Sequence, residues 1–137
     1  MKRVVVDSSV IVAGLAKDGK VRESLVTASE LAFAAPAYVG EEVKTQVPRI
    51  AARAKLPRAT VEAILEDLLC TVDLVPPAHY ASKMRGATAL AHRAGVPGDE
   101  DFVALCMALE APIWTLDRDF LRVPGLVVLS TTDIGGI

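Results

Sequence analysis

The chain has 137 residues, and its 15 Lys and Arg residues nearly balance its 17 Asp and Glu residues, for a formal net charge of -2. Chains of this length usually fold around one hydrophobic core, so residues 1–137 are expected to form a single domain. A hydrophobic content of 52% excludes a disordered protein, and the charge balance excludes the polybasic surface of a DNA groove reader. Any nucleic-acid-binding surface must therefore be local.

Apolar runs such as Val4-Val5-Val6 are far shorter than the ~20 residues that a transmembrane helix requires. Neither a membrane span nor a signal peptide is therefore expected. Cys70 and Cys106 are isolated and form no C-x-x-C motif, which predicts two buried, reduced thiols rather than a disulfide or a metal pair. These features favour a cytoplasmic protein.

Strand-like apolar runs alternate with helical patterns along the chain. Strands are predicted over residues 1–6, 31–35, 72–75, 112–115 and 125–129. Helices are predicted over residues 21–30, from residue 38 onward, and over 57–70, 79–94 and 99–110, with Pro48 kinking or restarting the second of them. This order predicts an α/β fold, a three-layer α/β/α sandwich with a mostly parallel central sheet.

Four acidic residues fall where this fold would place its functional edge. Asp7 ends the first strand, Glu42 lies early in the helix after the second, Asp99 opens a helix after a Pro-Gly break, and Asp117 follows the strand at 112–115. In an open parallel sheet these positions share the edge where ligands bind. Each acid alone is also explained as a helix cap, but four together favour a cation site.

Repelling carboxylates are tolerable when divalent cations lie between them, and Mg²⁺ or Mn²⁺ prefer oxygen ligands. The chemistry that this pattern predicts is metal-assisted hydrolysis of phosphodiesters. Two ions about 3.5 to 4 Å apart can activate a water and stabilise the leaving oxygen. Whether one or two ions bind is left open by the sequence.

Some candidate acids have a second acid next to them or two residues away, and the two must be distinguished. At about 100° per residue, Glu42 borders the apolar stripe of its helix while Glu41 points away, so Glu42 is predicted to face the sheet edge. Asp101 and Asp119 each lie two residues past a better candidate. They are expected to be supporting outer-sphere ligands, water binders or solvated surface, and Asp101 competes with Asp99 for the third position.

Basic residues concentrate in two acid-free segments, 43–61 and 74–98. These segments are either solvated helix faces or a phosphate-binding rim around the acids. Arg49 and Arg53, in the first segment, are candidate RNA-binding residues. Arg118, next to Asp117, is the basic residue best placed to touch a phosphate.

Taken together, these residues resemble the PIN domain, especially the small VapC-type toxins of prokaryotic toxin-antitoxin pairs, over nearly the whole chain. The resemblance rests on VVVDSSV at residues 4–10, on Glu42 six residues after Pro36, and on FVAL following Asp99. It continues through APIWTLDRDF at residues 111–120, and Asp99 and Asp117 stand eighteen residues apart, a spacing common in the family.

The resemblance implies a Mg²⁺- or Mn²⁺-dependent endoribonuclease whose acidic quartet is Asp7, Glu42, Asp99 and Asp117. It also implies Thr115 as a supporting hydroxyl. Ser8 is a further supporting candidate, and no His is paired with it to form a hydrolase triad. The family further implies a homodimer that cuts RNA and is inhibited by a small antitoxin protein.

Other functions remain as alternatives. The chain could be a stand-alone PIN-domain nuclease for RNA processing, or a PIN-like binding module without catalysis. A haloacid-dehalogenase-like phosphatase would need a second Asp where Ser9 stands. A receiver domain would need its acceptor Asp near mid-chain, where only Asp67 and Asp73 occur in poor settings.

Overall fold

A computed structural model describes residues 2–137 of the chain. The strands are β1 Lys2–Val6, β2 Leu31–Pro36, β3 Val72–Val75, β4 Ile113–Trp114 and β5 Val128–Leu129. The helices are α1 Ser8–Ala16, α2 Lys20–Thr27, α3 Val39–Lys44, α4 Val47–Ala54, α5 Arg58–Leu69, α6 Met84–Ala94, α7 Glu100–Leu109 and α8 Thr131–Gly135. Short 3-10 turns cover Pro77–His79, Ala81–Lys83 and Arg118–Arg122.

The five strands form one parallel sheet in the order β3-β2-β1-β4-β5. From β1 the chain moves outward to β2 and β3, then returns to the other side of β1 for β4 and β5. Because such crossovers keep one handedness, the two directions place α1–α5 and α6–α7 on opposite faces. This arrangement confirms the predicted three-layer α/β/α sandwich.

The core centres on β1, whose residues Val4, Val5 and Val6 are at most 1% exposed. A continuous β-branched run suits a strand that is buried on both faces. Trp114 in β4 is also fully buried, and its indole N–H donates to Thr131 Oγ1 at 3.1 Å. The indole N–H of this buried tryptophan therefore has a polar partner.

Two predicted elements are shorter in the structure, and two of its helices, α1 and α8, lie outside the predicted helical ranges. The predicted helix at 79–94 begins only at Met84, because Pro76, Pro77 and the buried Tyr80 shape the preceding stretch into 3-10 turns. The predicted strand at 125–129 pairs only over Val128–Leu129. The helix α8, which the sequence did not predict, begins with a capping box between Ser130 and Asp133.

Pro48 acts as predicted. The helix α3 ends at Lys44 and α4 begins at Val47, with Pro48 in its first turn, where a missing N–H costs nothing.

Both cysteines are free thiols, as predicted, but only one is buried. Cys106 lies in the core, where burial, followed by the charge of Asp7, raises the pKa of its thiol to about 12. Cys70 is exposed, which corrects the expectation of two buried thiols, because it caps the C-terminal end of α5. Within residues 2–137, no helix combines the length and apolar content that crossing a membrane demands.

Candidate active site at the carboxyl edge of the sheet

The direction of the chain crossovers changes between β1 and β4, and this is the place where open parallel sheets bind ligands. Asp7 follows β1 directly, and Thr115 follows β4 directly. The backbone N–H of Asp7 donates to the carbonyl of Trp114 at 3.0 Å, which ties the two strand ends together. The first predicted acid therefore stands at the crevice of the sheet.

The Asp7 side chain is 4% exposed and does not cap α1. Its Oδ2 atom accepts hydrogen bonds from Ser9 Oγ at 2.6 Å and from Thr115 Oγ1 at 2.8 Å. Among the described residues, no group donates to Oδ1. One oxygen of Asp7 is therefore fixed in direction while the other is available for a ligand.

The two hydroxyls are themselves oriented by backbone donors. The N–H of Leu116 donates to Ser9 Oγ at 3.2 Å, and the N–H of Asp117 donates to Thr115 Oγ1 at 2.9 Å. Each hydroxyl accepts from the backbone and therefore directs its own proton toward the carboxylate. Thr115, which the family resemblance implies as a supporting hydroxyl, thus donates directly to Asp7.

Ser9 was not among the predicted supporting residues, whereas Ser8 was. Ser8 is half-buried, and its hydroxyl has no hydrogen bond to the described residues. The sequence offers two adjacent hydroxyls after Asp7, and only the direction in which α1 leaves the strand selects the second. The rotation of about 100° per residue was the available signal, once the helix start at Ser8 was known.

Asp99 lies at the N-terminal end of α7, and its side chain does not cap that helix. The pKa of Asp99 is raised from 3.8 to about 6. The largest cause is burial, and the negative charges that follow it belong to Asp7, Asp117, Glu100 and Glu42. The fold thus brings the four predicted acids into one electrostatic cluster, which we call the acidic edge (Asp7, Glu42, Asp99 and Asp117).

Glu42 and Glu41 differ as the helical geometry predicts. Both are exposed, but Glu41 pairs with Lys44 on its own helix at 3.3 Å and has a side chain 83% exposed. Glu42 instead contributes to the field at Asp99. The charge of Glu42 therefore acts on Asp99, whereas Glu41 is solvated, and the role of Glu42 as a ligand stays a prediction.

Asp117 has a local role besides its place at the acidic edge. Its Oδ1 atom accepts a hydrogen bond from the N–H of Asp119 at 2.9 Å, which caps the turn at Arg118–Arg122. Asp119 pairs with Arg122. Arg118 is exposed beside Asp117, so its guanidinium is open to an anion from solvent.

The carboxylate of Asp101 accepts a hydrogen bond from a buried tyrosine. The hydroxyl of Tyr80, a residue 1% exposed, donates to Asp101 Oδ2 at 2.7 Å. Asp99 has no such partner among residues 2–137. The geometry therefore favours Asp99 over Asp101 as the third acid of the quartet. Asp101 is instead hydrogen-bonded to a residue of the core.

Arg49 and Arg53 lie away from this cluster. They line a shallow pocket between α1 and α4 together with Val12 and Ala16, and Arg49 donates to Gln46 Oε1 at 2.7 Å. No described contact joins either arginine to the acidic edge.

The acidic edge suits a hard divalent cation by its donor chemistry. Among residues 2–137, no three His, Cys, Asp or Glu side chains form a ready-made cage for a metal ion. Mg²⁺ commonly binds through one or two carboxylates, several waters and substrate phosphates rather than in an all-protein cage. The free oxygen of Asp7 and the carboxylate of Asp99 are donors of this kind.

Comparison of the sequence with models of protein families identifies the family of this chain. Residues 5–135 match the family model described as the PIN domain. The chain belongs to the PIN domain family. No curated protein sequence matches it significantly.

Solved structures share this PIN domain fold. VapBC2 from Rickettsia felis, bound to a DNA fragment from its promoter, matches with a TM-score of 0.71 at 16% identity, covering 93% of this chain and 98% of that chain. DNA-bound VapBC from Salmonella typhimurium matches with a TM-score of 0.72 at 15% identity, covering 96% and 99%. PAE2754 from Pyrobaculum aerophilum matches with a TM-score of 0.65 at 16% identity, covering 93% and 83%.

At such identities the likeness is one of fold. Membership of the PIN domain family supports, at a coarse level, a nuclease that hydrolyses phosphodiester bonds.

Proposed function

We propose that this protein is a divalent-metal-dependent endoribonuclease. The observation that carries the proposal is Asp7, a nearly buried carboxylate held through one oxygen by Ser9 and Thr115 at the crevice of a parallel sheet. Asp99 and Asp117 complete the acidic edge beside it, with Glu42 on the neighbouring helix. Burying a carboxylate is costly unless its partners or a cation compensate for it, which favours a cation-dependent function.

Each residue of the acidic edge has a defined task in this proposal. The carboxylates of Asp7, Glu42, Asp99 and Asp117 would hold Mg²⁺ or Mn²⁺, which when bound supplies an activated water and a Lewis acid for the scissile phosphate. Ser9 and Thr115 keep Asp7 in one orientation. Asp101 and Asp119 would support the edge from further out, whereas Ser8, whose hydroxyl makes no contact with the described residues, is assigned no role.

Arginine side chains would bind the RNA backbone. Arg118 is exposed next to Asp117, where its planar guanidinium can pair with a phosphate in two parallel hydrogen bonds. Arg49 and Arg53 lie on α4 and would hold RNA only further along the strand.

We further propose that the protein is the toxin of a VapBC-type pair, acting in the cytoplasm as a homodimer with a small antitoxin partner. The support is the fold shared with two structures described as DNA-bound VapBC complexes. An antitoxin segment that reaches the acidic edge would present Arg or Lys to its carboxylates. Co-purification from the native host is expected to recover a small basic-tailed protein. Repeated recovery of the chain alone would instead indicate a stand-alone RNA-processing nuclease.

The decisive experiment is cleavage of single-stranded RNA by the purified chain, measured with chelator and again after adding Mg²⁺ or Mn²⁺. We expect activity only with the ion. Asp7→Asn keeps the shape of the side chain but removes its charge, so it is expected to lower cleavage about 100-fold or more while the circular dichroism stays unchanged. Undiminished cleavage by Asp7→Asn would contradict the proposal.

Two adjacent glutamates supply a matched pair for the same assay. Glu42→Gln is expected to lower cleavage at least about tenfold, since even outer partners of metal sites are worth about 10- to 100-fold. Glu41→Gln removes only a solvated ion pair and should leave the rate within about twofold. Equal losses in both variants would refute the assignment of Glu42 to the acidic edge.

A further inference from the structure

Tyr38 is an aromatic residue beside the acidic edge that the proposed mechanism does not use. It directly precedes α3, and its carbonyl accepts a hydrogen bond from the N–H of Glu42 at 3.0 Å. Residues four apart are neighbours on one face of a helix, so the Tyr38 ring lies next to the Glu42 side chain. The residue is 38% exposed, which leaves part of it open to a ligand.

Two buried aromatic rings pack between Tyr38 and the core. The ring of Phe102 meets it in an edge contact with centroids 6.1 Å apart at 70°, and Phe102 meets Phe120 at 6.5 Å and 83°. Phe102 stands three residues after Asp99, and Phe120 stands three residues after Asp117. We call these rings the aromatic series (Tyr38, Phe102 and Phe120). The aromatic series extends from buried Phe120 through Phe102 to Tyr38, which is partly exposed to solvent beside the acidic edge.

The surroundings of Tyr38 favour a neutral, flat ligand over an anion. Carboxylates of Glu42, Asp101 and Asp99 lie near its phenol, and a phenol is uncharged at neutral pH. Within residues 2–137 no group accepts a hydrogen bond from its hydroxyl. The phosphate would be held by the bound cation, and at Tyr38 a nucleobase presents an uncharged aromatic face that the carboxylates do not repel.

We propose that Tyr38 contacts the substrate by stacking its ring on a nucleobase of single-stranded RNA next to the phosphate to be cleaved. This inference rests on the proposed ribonuclease function. Stacking on an aromatic side chain tolerates any base, because every base has a π-face. Tyr38 would thus contribute affinity and hold the strand across the acidic edge without selecting a sequence.

The test is equilibrium binding of a short single-stranded RNA that carries 2-aminopurine, whose fluorescence is quenched by stacking. The wild-type protein with Ca²⁺ in place of Mg²⁺ serves as the parent, since Ca²⁺ also takes oxygen ligands but in a longer and more flexible geometry, and a gel checks that the RNA stays intact. Tyr38→Leu keeps an apolar contact with Phe102 but has no π-face, so it should weaken binding about 5- to 150-fold and abolish the quenching. Tyr38→Phe should retain both affinity and quenching.

The control is Val26→Ala, which truncates an apolar side chain 59% exposed on α2, the helix that leads into the opposite edge of the sheet. It should bind RNA like the parent protein. Equal affinity in Tyr38→Leu and the parent would overturn the stacking role and leave the nuclease proposal intact. A loss shared by Tyr38→Phe would overturn it as well, because the hydroxyl would then carry the contact. If the parent binds no RNA, both proposals fall.

Discussion

A single oxygen atom of Asp7 receives the best-defined contacts of the acidic edge. Two hydroxyls donate to Oδ2, one from the neighbouring helix turn and one from a residue 108 positions away. The sequence predicted Asp7 because an acid directly after a buried strand can be placed by topology alone. It did not predict Ser9, because choosing between adjacent hydroxyls requires the direction in which the chain leaves the strand.

The adjacent serines give a matched test. Ser9→Ala removes one of the two donors to Asp7, and partners of this kind typically contribute about 10- to 100-fold to metal affinity or activity. We therefore expect Ser9→Ala to weaken Mn²⁺ binding, measured by calorimetry, and to lower RNA cleavage. Ser8→Ala should change neither quantity. A larger loss in Ser8→Ala would show that the hydroxyl nearest in sequence is the one that matters.

Crowding of negative charge at the acidic edge has a consequence for stability. Burial and neighbouring carboxylates disfavour the charged form of Asp99, as its raised pKa shows. Asp99→Asn should therefore increase the free energy of unfolding of the metal-free protein at pH 7, by roughly 1 kcal/mol once solvent screening is allowed for. Urea unfolding in the presence of a chelator measures the change.

Glu100 is the control for this measurement. The N–H of Gly98 donates to its side chain at 3.0 Å, and this contact, together with the charge of His92, lowers its pKa. Its charge is therefore favoured by the fold, and Glu100→Gln should give no gain in stability. A gain in Glu100→Gln that matches the gain in Asp99→Asn would mean that general surface charge, rather than the acidic edge, is responsible.

At the scale of elements, the sequence was informative where one physical signal dominated. The β-branched run of β1 and the restart of the helix at Pro48 were both predictable. The region before α6 was not, because its apolar spacing continues a helical pattern through Tyr80, whose conformation is fixed by a hydrogen bond to Asp101 in another element. Local patterns carry no trace of such a long-range partner.

The helix α8 illustrates how a short element depends on its cap. Ser130 accepts a hydrogen bond from the N–H of Asp133 at 3.1 Å, and Thr131 in the same turn accepts from the indole of Trp114. Ser130→Ala should lower the free energy of unfolding by about 1 kcal/mol, as expected for loss of an N-cap. Because Trp114 is the only tryptophan, its fluorescence reports the loosening directly. Thr132→Ala, at an exposed position, is the control and should have little effect.

The same cap has a defined dependence on pH. Hydrogen bonds from Ser130 lower the pKa of Asp133 below its ordinary 3.8, so the folded state favours the charged carboxylate. Its contribution is therefore present at neutral pH and is lost only as the pH falls below 3.8.

At the scale of the whole molecule, the prediction concerns assembly. Val26 on α2 is 59% exposed and Leu56, just before α5, is 40% exposed, so apolar surface away from the acidic edge remains on the isolated chain. Covering such surface favours self-association, and we expect a homodimer, with an interface on helical surface away from the acidic edge. Light scattering at concentrations on the order of tens of micromolar should give twice the chain mass, because dimers depend on protomer concentration. A monomeric mass throughout that range would contradict the dimer.

The strand order also determines when the acidic edge can exist during synthesis. The central strand β1 is made before both of its neighbours in the sheet, and the second of them, β4, follows only after β2, β3 and α1–α7. Until Thr115 has emerged, Asp7 lacks one of its two hydroxyl partners, 108 residues downstream. Domains emerge N-terminal part first, so an unfinished chain has only an incomplete acidic edge. The acidic edge can therefore be complete only in a chain that has been made at least through Asp117.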